Sequence, residues 1–231
     1  MQGPMIPSLF PTYPPYPLVM VRGEGDTIFD DQGQPWIDLY GGHCVCSTGH
    51  SHPKVVEAIH NQSKQLIFYS TAGELTIRRE ASDSLIAFSG MDTVFFCNSG
   101  AEANENALKL SFQITGRKAF GSFQGGWHGR TFLALAVTDD PKITEAFESI
   151  FPEHHQFPFG DVQALESIDF SNLACVLAIL CSVGLLSNRK VCAATALNSG
   201  SARHKRRTCL IWLQSVQVTH LWVIWAYVLM T

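Results

Sequence analysis

The distribution of acidic residues divides this chain into two parts of different composition. All 20 Asp and Glu residues lie at or before Asp169, where they stand against 10 Lys and Arg residues. The 62 residues that follow Asp169 contain no acid and six basic residues. A single soluble domain rarely changes composition so sharply. We therefore expect the segment up to about residue 180 and the tail 181–231 to have different origins.

The overall composition is that of a globular protein with a substantial core. Of the 231 residues, 46% are hydrophobic and 16% are charged, which suits one large domain or two small ones. The seven Cys residues form no CxxC pair and have no zinc-type His spacing, so reduced thiols in a cytoplasmic protein are favoured over a disulfide scaffold. The first 16 residues lack the charged and apolar regions of a signal peptide.

The N-terminal third predicts an arm, a β segment and two helices. Residues 1–19 contain too many prolines for a helix and predict an extended arm. Short apolar runs over residues 21–42, with a turn at 30–33, predict a β-hairpin or meander. Helical spacing begins at His52-Pro53, and a second helix is predicted near Leu75–Ser89.

The central part predicts an α/β domain with a parallel sheet. A helix from Ala101 to about Ile114 is closed by Gly116 as its C-cap. Apolar runs of strand length alternate with the helices, which is typical of a parallel sheet. The predicted strands are Thr93–Cys97, Lys118–Phe123, Phe132–Val137 and Leu173–Leu180.

The turn Asn98-Ser99-Gly100, between a predicted strand and a predicted helix, is the first candidate site. The start of a helix presents free backbone N–H groups at the positive end of the helix dipole, and these suit a phosphate. The alternative is purely structural, because Ser99 followed by Glu102 is also a capping box.

The loop FQGGWHGRT, residues 123–131, is the second candidate. Its three glycines allow the backbone to approach a ligand closely, and Trp127 offers a flat surface for stacking. From these residues alone, a Trp that anchors the loop in the core is the better interpretation.

Three histidines, His43, His50 and His52, form a third cluster. No carboxylate or Cys completes a convincing ligand set beside them, so we expect loop and helix-start roles rather than a metal site.

Taken in order, three segments resemble the N-terminal half of a class III aminotransferase. They are VRGEGDTIFDDQGQPWIDLYGGHCVCSTGHSHPKVVEAI, FFCNSGAEANENALKLSFQITGR and FQGGWHGRTFLALAVT. These pyridoxal-phosphate enzymes have fold type I, and the acetylornithine aminotransferase group is the best match over about residues 14–180. The resemblance implies an N-terminal arm and small-domain β segment at 1–52, an incomplete large domain at 53–180, and an unrelated tail at 181–231. The incomplete domain would be α/β, a mainly parallel sheet with flanking helices.

The resemblance also assigns roles to residues. Trp127 stands where most members have a Phe or Tyr that stacks on the cofactor ring, and Arg130 would have a supporting structural role. The residues implied to bind pyridoxal 5'-phosphate are Ser99, Gly100, Ala101, Trp127 and His128, and those implied to approach the substrate are Tyr40 and Gly41.

The implied reaction moves an amino group from the ω-amine of an N-acetylornithine-like substrate to 2-oxoglutarate, a step of arginine biosynthesis, in a homodimer. Such enzymes need a Lys that bonds to the cofactor aldehyde and an Asp on the pyridine nitrogen. Neither family motif is found here, so we expect no catalytic residue in this chain and no activity from it alone. One alternative is a non-catalytic paralogue that binds a full-length aminotransferase or is tethered to a membrane. Another is a phosphate binder unrelated to pyridoxal.

The tail allows two interpretations. A frameshift, a read-through or a splice event would produce an acid-free end of this kind. Alternatively, the 22 uncharged residues 209–230 follow a basic cluster at 203–207 and have the length of a membrane span. Polar residues near the middle of that stretch oppose insertion. We expect neither a membrane nor a nucleic-acid partner.

Overall fold

The computed structural model describes Phe10 and residues 16–161, 163–164, 171–180, 209–212 and 225–229. These residues belong to two compact units, one reaching Gly73 and the other beginning at Glu74. The arm predicted at 1–19 and the tail predicted at 181–231 lie largely outside the described residues. The predicted domain boundaries after residues 52 and 180 stay predictions.

The first unit is built on an antiparallel meander of three strands, as predicted. β1 (Met20–Glu24) pairs with β2 (Thr27–Asp30), which pairs with β3 (Pro35–Ile37). The turn between β2 and β3 is organised by the buried Asp30, whose carboxylate accepts the Trp36 indole N–H at 3.0 Å. It also accepts the N–H groups of Gln32 and Gln34. These hydrogen bonds, that of Trp36 foremost, lower the pKa of Asp30.

Two helices follow the meander. α1 (Gly41–Cys44) is a single turn, and α2 (Pro53–Gln65) begins at the predicted His52-Pro53 signal. Proline suits the first helical position because its missing N–H would have no partner within the helix.

The second unit contains the longer helices. α3 (Thr76–Ser89) and α4 (Gly100–Thr115) each end at a glycine in the left-handed conformation, Gly90 at φ +71° and Gly116 at φ +68°. The prediction of both helices is confirmed to within one residue at most ends. The shorter helices are α5 (Phe132–Ala136), α6 (Pro141–Thr144) and a 3-10 turn at Glu145–Ile150.

A five-stranded sheet packs against α4. Its strands are β4 (Ala119–Phe123), β5 (His154–Phe157), β6 (Leu173–Leu180), β7 (Cys209–Trp212) and β8 (Trp225–Leu229). Their order is β5-β4-β6-β8-β7, and β4 pairs in parallel with both β5 and β6, which confirms the predicted α/β arrangement. β8 pairs antiparallel with β6 and with β7, so the sheet as a whole is mixed.

The core lies where α4 packs on the centre of this sheet. Leu108 of α4 is fully buried with Phe120 of β4 and Leu177 of β6. A second cluster contains Leu173 and Val176 of the same strand. β6 thus contributes to two apolar clusters, which explains its uninterrupted run of apolar residues.

The strand predicted at Thr93–Cys97 is wrong. The segment belongs to no sheet among the described residues, and the side chains of Phe95 and Phe96 are 66% and 41% exposed. An apolar run becomes a strand only where another strand can pair with it, and both sides of β4 are already occupied by β5 and β6.

The strand predicted at Phe132–Val137 is also wrong, because most of this run forms helix α5. Short apolar runs do not distinguish a buried strand from a buried helical turn. The deciding contact is distant in sequence. The carboxylate of Glu105 accepts the N–H groups of Leu133 and Ala134, which satisfies donors at the start of the helix.

Candidate functional site

The first turn of α4 carries the capping box expected from the sequence. Ser99 is extended, and its hydroxyl accepts the N–H of Glu102 at 3.2 Å. In return, the Glu102 carboxylate accepts the N–H of Asn98 at 2.8 Å. These bonds fix the direction in which the chain enters the helix.

The cap leaves backbone donors unused at the start of the helix. Among the described residues, the backbone N–H groups of Gly100 and Ala101 donate to no acceptor. Two adjacent donors at the positive end of a helix of 16 residues can bind an anion. The capping box and an anion site use different N–H groups, so the two interpretations of this turn are compatible.

The loop that carries Trp127 and His128 is held by its backbone. Gly126 donates its N–H to the carbonyl of Phe123 and accepts the N–H of Asp139. The N–H of His128 donates to the Thr138 hydroxyl at 3.0 Å. Its carbonyl accepts the side-chain amide of the buried Asn104 at 2.7 Å. Asn104 belongs to α4, so this bond ties the loop directly to the helix.

Gly129 brings the loop against the first turn of α4. It has φ +132°, and a Cβ atom placed on it would lie 2.6 Å from the Cβ of Ala101. Only glycine permits this approach. The structure therefore places the loop residues Trp127 and His128 and the turn residues Ser99, Gly100 and Ala101 on adjoining segments of one unit.

Trp127 is 44% exposed. The interpretation of this residue as a core anchor is therefore wrong. Much of its indole surface is open to a ligand.

His128, unlike Trp127, is buried, with 2% of its surface exposed. Neither of its ring nitrogens has a hydrogen-bond partner among the described residues. Burial, and secondarily the charge of His154, lower the pKa of His128 to about 4, so the ring is neutral at physiological pH. A buried polar group without a partner is costly and uncommon in folded proteins.

Tyr40 and Gly41 belong to the first unit, whereas the other five candidates belong to the second. The carboxylate of Asp38 accepts the N–H groups of Tyr40 and Gly41 at 3.0 and 2.9 Å. Tyr40 is 57% exposed. Beside this turn lies an open cavity of about 530 Å³, whose lining includes Asp26, Asp38, Gly41 and His50.

One member of the histidine cluster, His50, is paired with the Asp38 carboxylate. Nε2 of His50 lies 2.7 Å from Oδ2 of Asp38. The described residues contain no group of three His, Cys, Asp or Glu side chains that could hold a metal ion. The side chain of His43 lies outside the described part.

Sequence reasoning missed two residues that organise this region, Asn104 and Glu105. Both are buried although both are polar. The sequence contains a sign of this role. Asn104 and Glu105 are polar residues that lie between Ala103 and Ala107, which are buried on the inward face of α4.

Comparison with known proteins adds a family match. The family model described as aminotransferase class-III matches residues 10–195. The acetylornithine aminotransferase of Halalkalibacterium halodurans is 39% identical over 160 residues, which are 69% of this chain and 42% of that protein. The acetylornithine aminotransferase of Methanopyrus kandleri is 42% identical over 168 residues, 72% of this chain and 43% of that protein. The chain thus spans about two-fifths of the length of these curated relatives.

Solved structures that are similar to this chain are also aminotransferases. An ornithine aminotransferase from Toxoplasma gondii, described with partial occupancy of pyridoxal phosphate at its active site, has a TM-score of 0.67 at 25% identity. The match covers 73% of this chain and 42% of that one. An omega transaminase from Pseudomonas jessenii has a TM-score of 0.58 at 29% identity, covering 62% of this chain and 34% of that one. Within the described residues, no helix combines the length and apolar character needed to cross a membrane.

Proposed function

The chain belongs to the class III aminotransferase family, whose members use pyridoxal 5'-phosphate, and we propose that it carries one part of an acetylornithine-type cofactor site. That part binds the phosphate and stacks on the ring. When bound, the cofactor supplies an aldehyde that exchanges amino groups and a ring that withdraws electrons from the reacting carbon.

The observation that carries this proposal is the contact between two segments. The N–H groups of Gly100 and Ala101 have no acceptor among the described residues, and the loop with Trp127 lies against Ala101 through Gly129. In the proposal, the N–H groups of Gly100 and Ala101 bind the phosphate together with Ser99, whose hydroxyl exchanges its bond to the Glu102 carboxylate for one to the phosphate. The exposed Trp127 ring stacks on the pyridine.

The chemistry of the remaining donor set fits the same group. His128 is buried beside Trp127 with both ring nitrogens unpartnered in the described structure. A neutral imidazole can donate through one nitrogen and accept through the other. Because both ring nitrogens are shielded from solvent, a ligand at this loop reaches them only if the loop shifts on binding.

We assign the substrate to Tyr40 and Gly41 in the first unit. The support is the exposed Tyr40 side chain and the Asp38 carboxylate that fixes the backbone of the turn. The names of the relatives suggest an ω-amine of the N-acetylornithine type as amino donor, with 2-oxoglutarate as acceptor. A cytoplasmic homodimer completes the proposal.

We further propose that these 231 residues do not catalyse transamination alone. The lysine of such a site is made nucleophilic by burial or by neighbouring charge, whereas every described lysine is exposed. Lys109 is already paired with Glu105 at 3.4 Å. The described lysines are Lys54, Lys64, Lys109, Lys118 and Lys142.

Titration of the full chain with pyridoxal phosphate tests the binding part of the proposal. We expect quenching of tryptophan fluorescence that is lost in Trp127→Phe and retained in Trp36→Phe, a matched change in the first unit. Equal quenching in both variants would contradict the assignment of Trp127.

A second assay tests inactivity. We expect no amino transfer from N-acetylornithine to 2-oxoglutarate, and no lysine labelled by the cofactor after borohydride reduction and peptide mass spectrometry. A single labelled lysine together with turnover would overturn this part of the proposal.

The exposed apolar side chains favour a second candidate, a non-catalytic chain that binds a full-length aminotransferase. Leu39, Ile67 and Phe68 are 95%, 86% and 76% exposed, and a partner that covered them would bury apolar surface now in contact with water. Co-purification with full-length acetylornithine aminotransferase, weakened by Phe68→Glu, would support this candidate. Partition of the chain into membranes would instead favour the tethered form.

A further inference from the structure

The carboxylate of Glu105 joins α4 to the segment that follows the Trp127 loop. The side chain is 12% exposed. One of its oxygens, Oε2, accepts the Thr131 hydroxyl at 2.8 Å, the N–H of Leu133 at 2.8 Å and the N–H of Ala134 at 3.2 Å. Hydrogen bonds to an ionised carboxylate are stronger than neutral ones. This single oxygen therefore fixes the start of α5 to the side of α4.

Asn104 makes a second tie one residue earlier. Its side-chain amide donates to the carbonyl of His128 at 2.7 Å, and the residue is 3% exposed. The two neighbouring residues of α4 thus hold the second half of the loop, Asn104 at His128 and Glu105 at Thr131 and beyond.

The same helix carries the donors of the proposed phosphate site. Ala101 and Glu105 are four residues apart, so they lie on one face of α4, separated by about one turn. Because an α-helix has a fixed rise per residue, the distance between Ala101 and Glu105 is constant. The position of Trp127 relative to the N–H groups of Gly100 and Ala101 therefore depends on the anchoring of the loop.

We propose that Glu105 is a positioning residue, which sets the place of Trp127 relative to the phosphate-binding N–H groups so that one ligand can contact both. This inference rests on the proposed function. Among the described residues, the partners of the Glu105 carboxylate are Thr131, Leu133, Ala134 and Lys109, so its side chain bonds neither to the phosphate donors nor to the indole. It acts through the loop that it anchors.

The proposal predicts different effects on the binding of two ligands. Pyridoxal phosphate would contact both the helix turn and Trp127, whereas inorganic phosphate would contact the turn alone. In Glu105→Ala we expect the Kd of pyridoxal phosphate to rise about tenfold, the loss typical of a charged hydrogen bond. The Kd of inorganic phosphate should stay within about twofold, since its donors belong to α4 itself.

Two further variants distinguish positioning from general destabilisation. Glu105→Gln keeps an acceptor oxygen for Thr131, Leu133 and Ala134, and should recover most of the affinity for pyridoxal phosphate. Lys109→Ala removes only the exposed ion pair to the other carboxylate oxygen and should bind both ligands as the wild type does.

The experiment is a calorimetric titration of the full chain with each ligand, together with hydrogen exchange of the peptide that spans 127–136. The expected result is faster exchange at Leu133 and Ala134 in Glu105→Ala and a loss of affinity for pyridoxal phosphate alone.

An equal loss of affinity for both ligands, or faster exchange with unchanged affinities, would overturn the positioning role. If Glu105→Ala does not fold, Thr131→Val, which removes the hydroxyl that donates to Oε2 of Glu105, should raise the Kd of pyridoxal phosphate and not that of inorganic phosphate, and an equal change in both would overturn the role. A wild-type chain that binds neither ligand would overturn the proposed function and this role with it, whereas failure of the role alone leaves wild-type binding intact.

Discussion

Nε2 of His50 lies 2.7 Å from Oδ2 of Asp38, while Oδ1 of the same carboxylate accepts the N–H groups of Tyr40 and Gly41. One side chain thus joins the backbone at residues 40–41, where α1 begins, to the segment that precedes α2. The candidate substrate residues are held in place by this carboxylate.

The stability of the first unit should depend on ionisation of Asp38. The hydrogen bond from His50, with the two backbone N–H groups, lowers the pKa of Asp38 below its usual 3.8. Because the folded pKa is below the unfolded value, the stabilisation is complete above pH 3.8 and is lost as the pH falls through the folded pKa.

Asp38→Asn should therefore lower the thermal unfolding temperature at neutral pH and reduce its decline between about pH 5 and about pH 2. Asp31→Asn, at an exposed turn position, is the control and should keep the wild-type decline. An unchanged acid profile in Asp38→Asn would contradict the role of the Asp38–His50 pair.

His128 should make the second unit sensitive to mild acid. Its pKa in the folded chain is about 4, against 6.5 for an ordinary histidine. The unfolded chain binds a proton at a pH where the folded chain does not, so stability decreases as the pH falls from 6.5 towards 4. This linkage corresponds to about 2 kcal/mol of unfolding free energy between about pH 7 and pH 5.

Urea unfolding at the two pH values checks this expectation. His128→Leu should remove most of the difference, and His155→Gln, a change at an exposed histidine of β5, should not. If the leucine variant loses as much stability in acid as the wild type, the buried neutral imidazole is not the cause.

Gly129→Ala should disrupt the junction between the loop and α4. The new methyl group would lie 2.6 Å from the Cβ and 2.9 Å from the Cα of Ala101, at φ +132°. We expect a loss of about 2–4 kcal/mol in unfolding free energy, from strain and overpacking together.

Gly125→Ala is the matched control. Gly125 also has a positive φ, +73°, but a methyl group there meets nothing within 4 Å. Its expected cost is about 1 kcal/mol from backbone strain alone. Calorimetric unfolding of both variants separates the steric term from the backbone term, and equal losses would argue against the contact with Ala101.

Local signals in the sequence predicted much of the fold correctly. The Pro53 helix start, the Gly116 helix end and the strand Leu173–Leu180 each depend on residues within the element or next to it. The failures at Thr93–Cys97 and Phe132–Val137 have the opposite origin. The first lacks a neighbouring strand among the described residues, and the second is decided by a carboxylate more than 25 residues away.

The candidate site likewise has features that the local sequence predicts and features that it does not. The donors at Gly100 and Ala101 follow from a turn that opens a helix, and this pattern is visible in the sequence. The burial of His128 and the anchoring by Glu105 are contacts between distant segments. They follow only from the packing of the loop on α4, which no local pattern specifies.

The exposed segment Thr93–Cys97 bears on the lifetime of the chain in a cell. Proteases bind their substrates as extended backbone, and exposed segments outside regular structure are preferred sites of cleavage. Phe95 and Phe96 present aromatic side chains on such a segment. We therefore expect a protease to cleave first near residues 93–97, and a polypeptide that covers this segment to slow the cleavage.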